Sequence, residues 1–370
     1  MLKASLMDFQ PGSVVGLVFP EHDLATNLVL ILLCVSIVAL FFLSVIFAGI
    51  TIRLRIFNTR KALHWKRLEA EWEPLILSHL VGEKTVAEVH AAVLPRDQLF
   101  FIDFLLRYAR RLRGEERENL AELARPWLPR IVARMKSGDV TQRARAVHTV
   151  CNLGVHEHAA AIIETLDDPA PLVVLIAARA LAQKEHPEYA PHILARLERF
   201  DSWSQNFIVS MIAQIGPAIA GDLVGILESP SRVGRVRAMA AEALKQLNHL
   251  DAADVAVRVL KSETHREVLA ACLRLLGAVG RNEHASLVRR FCNSTDPMVR
   301  AHAYRTLGFL GDKDDAPVFR HALEDDFPWV GMSAAASLVQ IGARDVLERF
   351  AASGHPRASL ARQALMQEGS

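Results

Sequence analysis

Two kinds of residue in this 370-residue chain could do chemistry, and both recur. The first is histidine beside glutamate: His156-Glu157-His158, Glu185-His186 and Glu283-His284. Neighbouring imidazoles and carboxylates are ligands for iron or zinc. A metal centre needs its donors to converge. These pairs instead fall in short polar stretches, mostly in Glu-His order, and do not make a symmetric set of four. Loop solvation accounts for them, so no metal, cofactor or catalytic residue is expected. The second is a set of arginines, Arg258, Arg289 and Arg320, at steps of 31 and 31, with Lys261, Arg290 and His321 beside them. If the steps match a structural repeat, three guanidinium groups line one groove. Such a ladder suits an acidic peptide, a phosphate or an anionic polymer. The competing reading is a solvated face whose arginines pair with acids such as Glu324, and it weighs slightly more.

Other chemistry is excluded by what is missing. There is no phosphate-cradling glycine loop, no nucleophile elbow and no HExxH. Cys34 lies inside an almost wholly apolar block, and Cys151, Cys272 and Cys292 show no CxxC spacing and no zinc pattern. This fits a reduced compartment where cysteine acts as a small core hydrophobe. Net charge is +2, so bulk charge does not point to nucleic acid.

The elements that must position these residues repeat. The segments AVHTVCNLG, AARALAQKE, VSMIAQIG, AAEALKQLN, CLRLLGAVG, AYRTLGFLG and AAASLVQIG align, and one large apolar residue marks each: Val150, Leu181, Ile212, Leu244, Leu276, Leu307 and Leu338. The steps are 31, 31, 32, 32, 31 and 31. Each unit predicts a first helix rich in alanine for close approach to its neighbours. Gly154, Gly216, Gly280, Gly311 and Gly342, four residues past a marker, predict left-handed helix closures. A second helix follows, with apolar residues three and four apart, as in AAIIETL, GDLVGIL and APVFRHAL. Turn residues such as Asp167-Asp168-Pro169 and Asp325-Asp326-Phe327-Pro328 close the unit and start the next. Trp203 and Trp329 each open a repeat; packing between repeats is expected of them, although exposed tryptophans can anchor interfaces. His148 is expected to be a satisfied interior or flank residue.

This pattern resembles the HEAT family, in its short bacterial form of the phycobilisome-lyase type. The clearest copy is residues 296–326, where Asp296, Pro297, Val299 and Arg300 match an Asp-Pro-x-Val-Arg start. Other copies depart from it: Gly331 stands in place of the arginine, and the third repeat begins Trp203-Ser204-Gln205. The resemblance covers about residues 136–353. It implies an all-α solenoid of about seven helix pairs, with second helices lining the concave face, and says little about activity. A HEAT-type iron hydroxylase family uses matched His-Glu pairs, which this chain lacks in symmetric form.

Upstream, Leu24 to Ile52 is a run of 29 residues without a charge, long enough to span a bilayer core with some tilt. A cleaved signal would have a shorter apolar run after a basic start; here Lys3 stands against Asp8, Glu21 and Asp23. Arg53, Arg55, Arg60, Lys61, Lys66 and Arg67 follow, with no acid before Glu69. That asymmetry predicts a cytoplasmic side after the span. The same cations suit anionic headgroups at about 1 kcal/mol each, although a topology signal suffices to explain them.

The expected organisation is a short extracytoplasmic stretch 1–23, a transmembrane helix 24–52, a basic juxtamembrane and helical neck 53–135, the solenoid 136–353 and a capping stretch 354–370. Within the neck, Pro74, Pro95, Gly114 and Pro126 are expected to break the helices. The expected role is a scaffold at the inner face of a bacterial cytoplasmic membrane, binding a protein partner and no nucleic acid. Anchored relatives in the family imply an accessory protein of a polysaccharide-synthesising membrane glycosyltransferase. The alternative is an enzyme built on the repeats, a metal-dependent hydroxylase or a bilin-lyase-like protein.

Overall fold

The computed structural model describes residues 24–109, 111, 112, 114–154, 156–183 and 186–368, with side chains from Ile31 onward except at 115, 117 and 368. The stretch 1–23 and Glu185 lie outside the described residues. The chain divides into two units, Met1–Ser78 and His79–Ser370.

In the first unit, one helix, α1 (Leu24–Leu80), carries both the apolar run and the basic stretch. It is long and apolar enough to cross a membrane. Large apolar side chains such as Leu40, Phe41 and Phe47 are more than half exposed along it. The six cations from Arg53 to Arg67 are exposed too. Pro74 was expected to end a helix here, but α1 continues through it. A proline removes one backbone hydrogen bond and bends a helix without having to stop it.

The described residues of the second unit form helices joined by turns and short loops, with no strand among them. It opens with α2 (Val86–Ala91), α3 (Gln98–Ala109), α4 (Glu115–Ala124) and α5 (Leu128–Arg134), and α3, α4 and α5 all pack on the first helix of the array. The seven pairs then follow in chain order: α6 (Val140–Leu153) with α7 (Ala159–Glu164), α8 (Pro171–Leu181) with α9 (Ala190–Leu194), α10 (Gln205–Ala213) with α11 (Ala220–Glu228), α12 (Gly234–Gln246) with α13 (Ala252–Ser262), α14 (Arg266–Val279) with α15 (Ala285–Phe291), α16 (Pro297–Leu310) with α17 (Ala316–Ala322), and α18 (Pro328–Gln340) with α19 (Arg344–Ala352). Last comes α20 (Ala358–Glu368), which packs on α18 where an eighth first helix would lie.

The markers explain the period. Val150, Leu181, Ile212, Leu244, Leu276, Leu307 and Leu338 are all fully buried. A helix pair cannot cover its apolar face alone, so each unit must present one to its neighbour. Alanines do the close packing: Ala240, Ala241, Ala243, Ala270 and Ala271 are buried in α12 and α14.

Glycine does something tighter further on. A Cβ at Gly308 would lie 2.5 Å from Ser337 Oγ and 3.0 Å from Ser337 Cα, so α16 and α18 meet backbone to backbone. Hydroxyls seal these close joints. Thr306 donates to the Leu273 carbonyl (2.7 Å) and Ser337 to the Tyr304 carbonyl (3.0 Å), both buried. The glycines after the markers were expected to be left-handed, but they divide into two kinds. Only Gly216 (φ 95°) and Gly342 (φ 70°) are left-handed. At Gly154, Gly280 and Gly311 the requirement is space, because a side chain would strike Leu128, the Leu276 carbonyl or the Leu307 carbonyl.

Candidate functional site

Arginine staples hold successive repeats, and their carboxylates are the acids of the turns. Arg300 Nε and Nη2 donate to the two oxygens of Asp325 (2.8 and 3.0 Å), and its Nη1 donates to the carbonyls of Ser294 and Thr295. Arg143 grips Asp168 with the same two bonds, at 2.8 and 3.0 Å. Arg237 reaches Glu263 at 2.5 Å. Each acid also caps the turn that starts the next first helix: Asp325 accepts from Phe327 N–H, Asp168 from Ala170 N–H, and Glu263 from Thr264 and His265 N–H. Burial pushes the Asp325 carboxyl up, but Arg300 and the turn N–H outweigh it and hold it below the ordinary value. The bond from Arg143 does the same for Asp168.

The arginine ladder on the second helices is placed as the period predicts, on α13, α15 and α17. Each rung holds its own carboxylate. Arg258 pairs with Glu228 at 2.8 Å and Arg320 with Glu324 at 2.7 Å. Arg289 clamps Asp315, whose side chain is 3% exposed and which itself accepts from Asp312 N–H. Arg289 is therefore part of a turn, and Arg320 also lies over the Phe350 ring, 4.7 Å from its centroid. Lys261, Arg290 and His321 are exposed. A groove of about 710 Å³ runs beside Arg320, lined by Lys313, Pro317, Val346 and Arg349 among others, but it carries Asp314 and Asp345 as well as its cations.

The histidine–glutamate residues separate into different jobs. Glu157 pairs with Arg125 at 2.6 Å. His284 accepts from Arg281 N–H at 3.0 Å, the turn job that Asp315 does one repeat later. His186 bonds Glu188 (2.9 Å), and its ring lies 3.9 Å from that of His156. Among the described residues, no group of three or more His, Cys, Asp or Glu converges as metal ligands would. The thiols of Cys151, Cys272 and Cys292 are pushed up to about 12, chiefly by burial, which removes them as nucleophiles. His148 is half-buried, and its carbonyl accepts from Asn152. Trp203 is half-buried, and its carbonyl accepts from Arg235. Trp329 corrects the packing expectation: it is 48% exposed, beside Phe327 (centroids 5.1 Å apart). At the start of α18 its side chain turns outward, while Val330 next to it is the buried residue.

One constellation escaped the sequence reading. On the first helices, Glu242 of α12, Arg274 of α14 and His302 of α16 are bonded side to side. Arg274 Nε donates to Glu242, and its Nη1 donates to His302 Nε2 at 2.8 Å. Lys245 also bonds Glu242 (2.5 Å). Because His302 accepts from a guanidinium, its ring is neutral, and burial with Arg274 brings it down to about 4.

Residues 255–338 and, overlapping them, 293–367 match the family of HEAT repeats. No curated protein matches the chain. Among solved structures, a crystal structure of Kap121p is 14% identical, covering 74% of this chain and 37% of its own, with a TM-score of 0.44. Kap121p bound to the extreme C-terminus of the protein phosphatase Cdc14p gives 14%, 74%, 38% and 0.44. The complex of CpcE and CpcF of phycocyanin lyase from Nostoc sp. PCC7120 is 21% identical, covering 66% of this chain and 88% of its own, with a TM-score of 0.31. The chain spans 37–38% of the length of those Kap121p chains. Residues 255–367 thus match HEAT repeats, and the seven markers buried in step show the same stacking of helix pairs continuing upstream of them in chain order.

Proposed function

We propose that the chain is a membrane-tethered scaffold whose repeat array binds a protein partner at the cytoplasmic face. The observation that carries the tether is α1: its apolar side chains are exposed over the whole described length of the run, and a cationic stretch follows at once. In water so much exposed apolar surface would be a liability; in lipid it is solvated. Twenty-nine uncharged residues at 1.5 Å each make about 43 Å of helix, against a hydrocarbon core of about 30 Å. The cations after Ile52 then set the cytoplasmic side. For the array, nothing catalytic is required. Arg143, Arg237, Arg289 and Arg300 and their acids are held in turns and joints, and helix-pair arrays offer long surfaces to partners.

The finer reading is that the partner belongs to a membrane machine, with a polysaccharide-synthesising glycosyltransferase as the first candidate. The tether is tested by carbonate extraction and by the accessibility of a C-terminal tag in intact cells and in lysed ones. A C-terminus reached from outside, or a protein that leaves the membrane in carbonate, sinks the tether. The scaffold is tested by purification from detergent-solubilised membranes at native expression, followed by mass spectrometry. Recovery of no specific protein refutes it, and recovery of one other than a glycosyltransferase refutes only the finer reading.

A further inference from the structure

The ladder that the period reveals on the second helices is neutralised rung by rung, but the first helices carry an uncompensated charge. Two residues before the marker stand Glu242 on α12, Arg274 on α14 and Arg305 on α16. Lys245 belongs to the same cluster through Glu242. That makes three cations around one carboxylate, and the carboxylate is shared between Lys245 and Arg274. Arg305 is exposed and has no carboxylate within 4.0 Å among the described residues. The groups that bear on His302 electrostatically are Arg274, Glu242, Arg305 and Lys245, and only Glu242 favours its protonation. The local field is therefore positive. Phe309, one turn beyond Arg305 on α16, is 52% exposed.

We propose that this face of the first helices, centred on Lys245, Arg274 and Arg305, docks an acidic segment of the partner protein, with Phe309 receiving an apolar residue beside the carboxylates. The proposal rests on the scaffold reading for the statement that a protein is bound. Neighbouring helices pack about 8–10 Å apart, and an extended chain advances about 3.3 Å per residue. A segment crossing the array passes one helix about every third residue, so acids at that spacing meet Arg274 and then Arg305. Glu242 decides between ligands. A nucleic-acid strand carries charge at every step and must set a phosphate opposite this carboxylate, whereas a peptide can set a neutral residue there.

The test uses the full chain in detergent micelles. The probe is a fluorescein-labelled peptide with glutamate at every third position, serine elsewhere and a single phenylalanine, read by fluorescence anisotropy. Saturable binding is expected, weaker at higher salt as exposed charge pairs are screened. Arg305→Glu weakens it by about tenfold or more. Arg305→Gln weakens it less. Arg258→Glu on the second helices leaves it unchanged. Arg305 is exposed, so these variants keep the helical circular dichroism of the parent. Equal loss in Arg258→Glu and Arg305→Glu, or no loss in Arg305→Glu, overturns the proposal. So does tighter binding of a single-stranded oligonucleotide of the same length. A cellular partner recovered equally well with Arg305→Glu leaves the scaffold standing and removes this face from it.

Discussion

Replacing Arg300 by methionine tests how the array is joined. The guanidinium makes four hydrogen bonds, two to the Asp325 carboxylate and two to turn carbonyls, and it lies over the Phe327 ring, 5.7 Å from the centroid. Its side chain is 16% exposed and that of Asp325 13%. Breaking one partner out of a buried ion pair costs about 3–5 kcal/mol. The residual exposure argues for the low end, about 3 kcal/mol, because water can partly solvate the stranded carboxylate. In a stack where each unit touches only its neighbours, that loss appears locally. Hydrogen exchange by mass spectrometry on the full chain in micelles should find amides of α18, α19 and α20 less protected by about a hundredfold, since 1.36 kcal/mol is a factor of ten. Amides of α6 to α10 should not change. Adding Asp325→Asn to Arg300→Met should recover part of the loss, because no charge is then left stranded. A change below tenfold in the last helices, or an equal change along the whole array, would refute the view that this pair holds one joint.

Gly308→Ala should destabilise the last repeats by about 1–3 kcal/mol by pushing α18 away, with Ser337 in the path; urea titration followed by hydrogen exchange of α18 checks it. His302 sits near 4 when folded and about 6.5 when unfolded. Its contribution is therefore complete above about pH 6.5 and is lost as pH falls towards 4, by roughly 2–3 kcal/mol. His302→Gln, which keeps an acceptor for Arg274, should flatten urea midpoints over that window. Asp168, Asp325 and Glu263 are held low by their arginines and turn N–H groups. Their contribution is present above the ordinary carboxylate range and should fail only below about pH 4 in both proteins. Maleimide should leave Cys151, Cys272 and Cys292 unmodified in the native protein and label them in urea; labelling of any of them without denaturant would count against their burial.

How much of this was legible depended on whether a feature repeats. The markers were, because each pair buries one large residue against the next, and all seven proved fully buried. Both ends of one staple were legible, Arg300 at a recognisable helix start and Asp325 among the residues of a closing turn, but they stand 25 residues apart with nothing in the sequence to pair them. Periodicity placed the ladder but not all of its partners. Arg258, Arg289 and Arg320 recur because the fold recurs, and Glu324 was expected to pair, yet the three acids stand at different offsets, Glu228, Asp315 and Glu324, which one set of spacings could not reveal. The first-helix cluster had a usable signal, the position two before the marker, which holds Glu242, Arg274 and Arg305 in successive repeats. His302 had none, since its role follows from a bond to Arg274 on another helix. His284 and Asp315 look unrelated in sequence, but both accept the same backbone N–H of a turn.

The close joints of the C-terminal repeats have an elastic consequence. Between α14, α16 and α18 the helices meet over glycine and are locked by buried hydroxyl bonds. Between α8 and α10 there is little direct contact. Stiffness is therefore unevenly graded along the array. Under load the last three repeats should move as one rigid segment, while bending collects near the third repeat, as in a spring with one soft coil. Distance distributions between spin labels should be broad across α8 and α10 and narrow across α16 and α18. A partner that grips both ends would then read, through that soft coil, how far apart its own two contact points are.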